Sequence, residues 1–332
     1  MARCSLGRRP DEFVPLSIHW FIAISTLRLI PKALSDDKVC RTYTQSFPVS
    51  ETNRLLKKFF AIALFASTAA SLTAQDNFFT HWEARVSQTQ SKQPSWSVPL
   101  VAPYPMLIQV LRADFTRQVT PALTDTWNYG ASRGLNLIPG FNSEFDFYYP
   151  PYIQHNAKGA KDGAGDAGFL YKYRILSANE KSGNYMLAAQ LVSTIPTGSY
   201  SNGSADASVS PTLLGGKGFG RFDVISSLGG TLPTGDTVKL GRSVAWSTTA
   251  QYHIGKYFWP ELESNATYFF GGKNDGKSQN FLTPGATLSK FKLRPANDRS
   301  RLALATGAGM QIATSKFHTY NHNLIITARL VF

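Results

Sequence analysis

Polar and apolar residues alternate with a period of two along most of the chain after residue 105. The last ten residues, NLIITARLVF, show it most clearly: polar side chains at Asn323, Thr327 and Arg329 occupy one face. The other face is apolar and consists of Leu324, Ile326, Ala328, Leu330 and Phe332. Because successive side chains of a β-strand point to opposite faces, this pattern predicts strands with one polar and one apolar face.

Twelve such segments are predicted, and single-chain bacterial barrels have an even number of strands. They span residues 107–118, 125–137, 143–152, 168–176, 184–195, 211–219, 222–232, 242–253, 260–270, 281–291, 301–313 and 323–332. No run of about 18 apolar residues follows residue 74, so no transmembrane helix is predicted. The fold class expected is therefore all-β, an antiparallel transmembrane barrel of about twelve strands.

The predicted connections differ in length between the two ends of this barrel. Links rich in Gly, Asn, Asp, Ser and Lys at 155–167, 196–210, 233–241 and 271–280 fall on one side. The links at 140–142, 220–221 and 255–256 fall on the other side and are short, with 294–300 as a longer exception. Outer-membrane barrels have short periplasmic turns and longer extracellular loops, so the first group is assigned to the outside.

The segment 260–270 lies between two aromatic clusters, Tyr257 to Trp259 and Tyr268 to Phe270. Ten residues at about 3.3 Å, tilted by about 40°, rise roughly 25 Å, which is the height of the apolar band of an outer-membrane barrel. The clusters are interpreted as the two aromatic girdles. Glu261 and Glu263 alternate with apolar or small residues between them, which places both glutamates in the barrel interior.

Charged residues also alternate with aromatic ones on two earlier segments. Glu144 and Asp146 lie on the first, and Lys172 and Arg174 lie on the second. A hairpin centred near residue 159 would place Asp146 opposite Lys172 and Glu144 opposite Arg174, and opposite charges across an antiparallel pair stabilise that register. These side chains are predicted to face inward, because the aromatic residues require the lipid side.

The predicted interior residues allow two interpretations. The candidates for lining the lumen are Glu144, Asp146, Lys172, Arg174, Glu261, Glu263 and Arg329. They either line a solute path and set its selectivity, or form an ion-pair network that fills the barrel. Small residues at Ala303, Ala305, Gly307 and Gly309 indicate that some space remains inside.

A secretory signal peptide is predicted at residues 53–74. Arg54, Lys57 and Lys58 form its basic region, an apolar run follows at 59–65, and small residues lead to cleavage after Ala74, with Ala70 as the alternative. Residues 1–52 are interpreted as a misassigned translation start or, alternatively, a disordered extension. Residues 75–105 are expected to form an N-terminal arm or a lumen plug, and residues 106–332 the barrel.

Composition removes several function classes. Cys4 and Cys40 precede the predicted cleavage site, so a cleaved chain holds no disulfide and no cysteine-ligated metal. The net charge of +13 belongs partly to the N-terminal region, and the remaining Lys and Arg are scattered, which gives no nucleic-acid site. Outer-membrane lipid and lipopolysaccharide are the partners expected for this charge. The histidine spacing predicts no metal site, and no cofactor is expected.

Four segments resemble the outer-membrane family of the MetA pathway of phenol degradation. They are GLNLIPGF at 134–141, GDAGFLYKYRIL at 165–176, STIPTG at 193–198 and LTPG at 282–285. The resemblance implies a barrel that takes up hydrophobic or aromatic compounds, and it supplies no catalytic residue. A strand ending in Phe also resembles the C-terminal assembly signal of outer-membrane proteins, which assigns Leu324, Ile326, Leu330 and Phe332 to contact with the barrel-assembly machinery.

The function expected is therefore a channel or transporter of the outer membrane for small, hydrophobic or aromatic solutes, and no enzyme. A closed structural or surface-interaction barrel without transport is the alternative. An outer-membrane hydrolase is disfavoured, because the His-x-Ser pattern of outer-membrane phospholipases does not occur in the chain.

Overall fold

The structure is a computed structural model that describes residues 72–131, 133–293 and 301–332. The predicted extension at 1–52, residues 53–71 of the predicted signal peptide and the predicted link at 294–300 lie outside the described residues. The described chain begins with helix α1 (Leu72–Ser91). No helix among the described residues is long and apolar enough to cross a lipid bilayer.

Fifteen β-segments follow in the described residues. They are β1 Val110–Val119, β2 Asp125–Gly130, β3 Gly134–Gly140, β4 Ser143–Tyr148, β5 Tyr152–Asn156, β6 Gly163–Ala164, β7 Ala167–Ala178, β8 Tyr185–Ile195, β9 Ser208–Phe219, β10 Phe222–Pro233, β11 Arg242–Tyr252, β12 Phe258–Phe270, β13 Ser278–Lys292, β14 Ala303–Ala313 and β15 His322–Val331. A short helix α2 (Thr237–Leu240) precedes β11, and a 3-10 turn (Gly272–Asn274) precedes β13.

The segments close into an antiparallel barrel. β1 pairs along its whole length with β15, from Val110 opposite Val331 to Val119 opposite His322. In three cases, two consecutive segments together form one strand of the barrel wall, because they pair with the same neighbouring strand position. These pairs are β2 with β3, β4 with β5 and β6 with β7. The fifteen segments therefore form twelve wall strands, and the predicted all-β barrel of about twelve strands is confirmed for the described residues.

Two predicted strands, 125–137 and 143–152, are interrupted, so their prediction as unbroken strands was wrong. Gly130 has a φ of 106°, Ala131 a φ of 45°, and the Arg133 N–H donates to the Gly130 carbonyl at 3.0 Å. This turn inserts extra residues into one wall strand, as a β-bulge does, and the pairing ladder stops there. Opposite the turn, β4 ends at Tyr148 and β5 begins at Tyr152.

The barrel is polar inside and apolar outside. Glu263 is completely buried, whereas its neighbour Leu262 is 50% exposed on the outer face. The same alternation corrects the predicted girdles: Phe258 and Phe270 face outward, but Trp259 is buried and stacks on His253 with ring centroids 4.1 Å apart. Side chains two positions apart share a face, so Trp259 lies on the side of Glu261.

The two ends of the barrel carry different connections. We call the end at which β1 begins and β15 ends the proximal end, and the other the distal end. Proximal links include two-residue turns at 141–142 and 220–221, whereas distal loops extend over 196–207 and 234–241. The predicted difference in loop length is present in the structure.

Candidate functional site

The chain between α1 and β1, residues 92–109, lies inside the barrel and is called the inner segment. Leu100, Ala102, Met106 and Leu107 are buried in it. The segment rises from the proximal end along β12 to β15 and returns along β7 and β4, as its contacts below show. The interior of this barrel is therefore occupied by the protein's own chain.

Arginines of the wall hold the carbonyls of the rising arm. Arg329 of β15 donates to the Val98 carbonyl at 2.6 Å and to the Pro99 carbonyl at 3.0 Å. Arg112 of β1 donates to the Leu100 carbonyl at 2.7 Å. Both arginines are almost fully buried, so these charge-assisted bonds act where water does not compete.

Glutamates of β12 hold the amides of the same arm. A Glu261 carboxylate oxygen accepts from the Leu100 N–H at 3.0 Å. Glu263 accepts from the Val101 N–H at 3.0 Å and from the Ala102 N–H at 2.7 Å. Each buried carboxylate thus has main-chain donors, as a buried charge requires.

A buried ion pair holds the returning arm. Lys172 Nζ of β7 lies 2.7 Å from Glu144 Oε1 of β4 and donates to the Met106 carbonyl at 3.1 Å. The other Glu144 oxygen accepts from the Ile108 N–H. Lys172 also lies 4.1 Å from the centroid of the Tyr104 ring, where a cation and an aromatic face attract each other.

Burial raises the pKa of the Tyr104 hydroxyl, and the carboxylates of Glu144 and Asp146 raise it further. Tyr104 therefore stays neutral over the physiological pH range and contributes no charge to the interior. The ammonium group of Lys172 is the cation that balances Glu144 at this point.

The base of the inner segment is tied at the proximal end. The Gln93 side chain donates to the Leu107 carbonyl at 2.9 Å and accepts from the Leu107 N–H at 3.1 Å, so it joins the two arms as a strand would. Arg174 donates to the Thr89 carbonyl near the end of α1 at 2.7 Å. Trp82 of α1 donates to the Gln109 side chain at 2.7 Å. The helix and the segment are thus anchored together.

Two apolar side chains of the inner segment fit against glycines of the wall. A Cβ atom at Gly309 would lie 2.6 Å from Leu100 Cδ1, and one at Gly307 would lie 3.0 Å from Leu100 Cδ2. A Cβ atom at Gly216 would lie 2.5 Å from the Trp96 ring. The space that the small residues of β14 indicated is therefore present, and Leu100 fills it.

All seven predicted interior residues lie inside the barrel, and six of them bond to the inner segment or α1: Glu144, Lys172, Arg174, Glu261, Glu263 and Arg329. Asp146 is buried as well, and one of its oxygens has no hydrogen-bond partner among the described residues. Their role towards a solute stays a prediction. The predicted register of the charged pair was wrong by two residues, since Glu144 lies opposite Lys172 and Asp146 opposite Leu170.

Sequence reasoning missed Arg112 and Asp114. They are inward-facing neighbours on β1, 2.8 Å apart, and Arg133 from the turn after β2 lies 3.2 Å from the same Asp114 carboxylate. The alternation of β1, VLRADFTRQV, carries the signal that places both on the polar face. Arg133 could not be found this way, because it lies in the irregular turn.

Two cavities adjoin the inner segment. One of about 160 Å³ is lined by Val101 and Tyr104 of the segment and by Arg112, Asp146 and Lys172 of the wall. A second of about 130 Å³ lies towards the proximal end between the segment and β13 to β15, beside Trp96, Met106 and Arg329. Residues of the segment therefore line both spaces.

Solved structures in the comparison with known proteins are similar to this chain. The crystal structure of the COG4313 outer membrane channel from Pseudomonas putida F1 is similar to this chain with a TM-score of 0.51 and 14% identity, covering 70% of this chain and 100% of that chain. No protein-family model and no curated protein matches the sequence. At this identity the likeness shows the fold, a twelve-stranded barrel.

Proposed function

We propose that this protein is a channel of the outer membrane for small solutes, and that the inner segment closes it at rest. The observation that carries the proposal is a barrel with a charged interior that holds its own chain, with two cavities lined by that chain and the wall. The similar barrel from Pseudomonas putida F1 is named an outer membrane channel, which supports the same role here.

The outer surface supports a membrane location. Large apolar side chains in the middle of the strands face outward and are about half exposed, among them Leu213, Leu228, Trp246 and Leu262. A continuous apolar surface of this kind is costly in water and is what the lipid-facing band of an outer-membrane barrel requires. The proximal end then faces the periplasm, and the long distal loops face outward.

Export and assembly follow from the same proposal. The predicted signal at 53–74 would deliver the chain, and the C-terminal strand, with Leu324, Ile326, Leu330 and Phe332, would engage the assembly machinery. In the folded barrel this strand is fully paired with β14 and β1. The resemblance to the MetA-pathway family adds hydrophobic or aromatic compounds to the candidate solutes.

A permanently closed structural barrel is the second candidate. The density of bonds between the wall and the inner segment favours it, since Glu261, Glu263 and Arg329 all end on the segment instead of facing a pore. The two candidates differ in one property, which is whether the inner segment moves.

An engineered disulfide that fixes the inner segment to the wall and can be reduced again distinguishes the channel from the closed structural barrel. Ser97 Oγ of the inner segment lies 2.5 Å from Thr287 Oγ1 of β13, close to the separation of about 2.0 Å between disulfide sulfurs. In a chain with Cys4 and Cys40 replaced by Ser, we expect the pair Ser97→Cys and Thr287→Cys to form a disulfide. The oxidised protein in planar lipid bilayers should carry no current, and reductant should restore discrete conductance steps.

The chain with Ser97→Cys alone, treated with the same oxidant, is the matched control and should conduct throughout. Equal conductance of the oxidised and reduced double variant would show that solutes do not need the segment to move. A correctly folded protein that is silent in every form would refute the channel and favour the closed structural barrel.

A further inference from the structure

The wall recognises the inner segment by its main chain. In the described residues, every hydrogen bond that the charged side chains of the wall make with the segment ends on a backbone N–H or C=O group. The charged side chains are Glu144, Lys172, Glu261, Glu263, Arg112 and Arg329. These hydrogen bonds are open to any peptide backbone, while Leu100 and Trp96 of the segment add side-chain contacts with the wall.

Removing the segment would leave Glu263 without its hydrogen-bond donors, whereas Glu144 and Lys172 would keep each other and Arg112 would keep Asp114. Glu263 and Lys172 have almost no exposed surface, and Arg112 is nearly as buried. A buried charge that loses its partner is strongly disfavoured, so whatever takes the place of the segment in the narrow interior must offer similar donors and acceptors. An apolar solute offers none, whereas a peptide offers both at the spacing of the segment.

The cavity of about 160 Å³ lies beside the part of the segment that Glu263 holds. It reaches Val101, whose N–H donates to Glu263, and Pro103 and Tyr104, which follow Ala102. The oxygen of Asp146 that has no partner among the described residues is an additional acceptor on a residue lining this cavity.

We propose that the interior wall is a binding site for extended peptide backbone, and that short peptides are the solutes this channel admits best because they replace the segment bond for bond. The inference rests on the proposed function, since it names the solute class of the same channel. Leu100 to Ala102 define the central part of the site, with Glu261 and Glu263 as acceptors and Arg112 and Arg329 as donors.

The test uses a peptide that copies this part. In N-acetyl-Leu-Val-Ala-amide the three residue N–H groups stand for those of Leu100 to Ala102, and the acetyl and Leu carbonyls stand for those of Pro99 and Leu100. The matched solute replaces the Val and Ala N–H groups by ester oxygens, so it keeps the shape but cannot donate to Glu263. Swelling of vesicles that contain the full chain reports the uptake of each.

We expect the amide peptide to enter about tenfold faster than its ester, because hydrogen bonds to charged groups are among the strongest. Glu263→Gln weakens the acceptor and should reduce this ratio to about threefold. Lys239→Gln, on a distal loop, should leave the ratio unchanged. The oxidised Ser97→Cys and Thr287→Cys protein should admit neither solute.

An uncharged pentose separates the two proposals. If the pentose enters but the amide and the ester enter at the same rate, the peptide site is wrong and the channel stands. If none of the three solutes enters through a folded protein, the channel itself is refuted and the peptide site falls with it. A ratio that Glu263→Gln does not change also overturns the inference, because the preference would then arise elsewhere.

Discussion

The residues that carry most of the interior charge are paired with one another and with the inner segment. Lys172 and Glu144 lie 2.7 Å apart with almost no exposed surface, and each also bonds to the main chain of the segment. Removing one member of a buried ion pair is much more costly than replacing both, because the survivor keeps its desolvation penalty. The pair is therefore a sensitive point for stability.

Lys172→Met should lower the free energy of unfolding by about 3–5 kcal/mol, because Glu144 is left buried without its cation. Glu144→Gln should also lower the free energy of unfolding, because Lys172 is then left buried without its carboxylate partner. The double variant should recover most of the loss, since no charge remains. Guanidinium unfolding in lipid vesicles, followed by tryptophan fluorescence, measures all three. Additive losses in the double variant would contradict the pairing.

At the level of elements, the inner segment and the sheet fit through Leu100 and the glycines of β13 and β14. Gly285, Gly307 and Gly309 leave room for one branched side chain, and a Cβ atom at any of them would contact Leu100. Overpacking a well-filled interior costs about 1–3 kcal/mol. Because wall side chains, and not a β-ladder, hold this part of the segment, the strain should be relieved by loosening the segment.

Gly309→Ala should therefore expose the inner segment. With Cys4 and Cys40 replaced by Ser, a Val101→Cys reporter measures the rate of reaction with a water-soluble maleimide. We expect a rise of about fivefold or more, from an overpacking cost of about 1–3 kcal/mol. Gly215→Ala is the matched control, because its nearest neighbour would lie 3.7 Å away. Combining Gly309→Ala with Leu100→Ala should remove the extra effect of Gly309→Ala; if it persists, Leu100 is not the point of contact.

The observed strands also show where the alternation pattern predicted strand boundaries correctly and where it did not. β12 and β15 lie close to their predicted ranges, because each has unbroken alternation over ten residues or more. The predicted strand at 125–137 failed at Gly130 to Arg133, where an extra turn replaces the ladder. The predicted partner of Lys172 failed for a related reason: the hairpin was placed from its length, whereas β5 and β6 lie between β4 and β7 along the chain.

At the scale of the whole molecule, the closed barrel turns its apolar faces outward. Leu228 lies in the middle of β10 and Leu232 near its distal end, and both are exposed on the outer face. If this surface contacts lipid, an arginine should destabilise the barrel strongly at the middle of the apolar band and only weakly near its edge, as it does in membrane barrels.

Leu228→Arg should lower the free energy of unfolding by about 2–4 kcal/mol, and Leu232→Arg should lower it by about 0–1 kcal/mol, because the charge is furthest from water at the bilayer midplane. Reversible guanidinium unfolding in phospholipid vesicles measures both, and the identical side-chain change makes each variant the control of the other. Equal costs at the two depths would show that the outer band does not lie in a bilayer.

Alternation along the chain is sufficient to predict the polar face of the strands, and hence the barrel, its strand number and the inward direction of Glu144, Lys172, Glu261, Glu263 and Arg329. It is sufficient because alternation is a local property, fixed by the geometry of an extended chain. What these charges bind follows from the three-dimensional fold alone. The inner segment has no periodic pattern that would predict its partners. Its hydrogen bonds join residues that are far apart in the sequence, such as Leu100 and Glu261, and these residues meet only in the closed barrel.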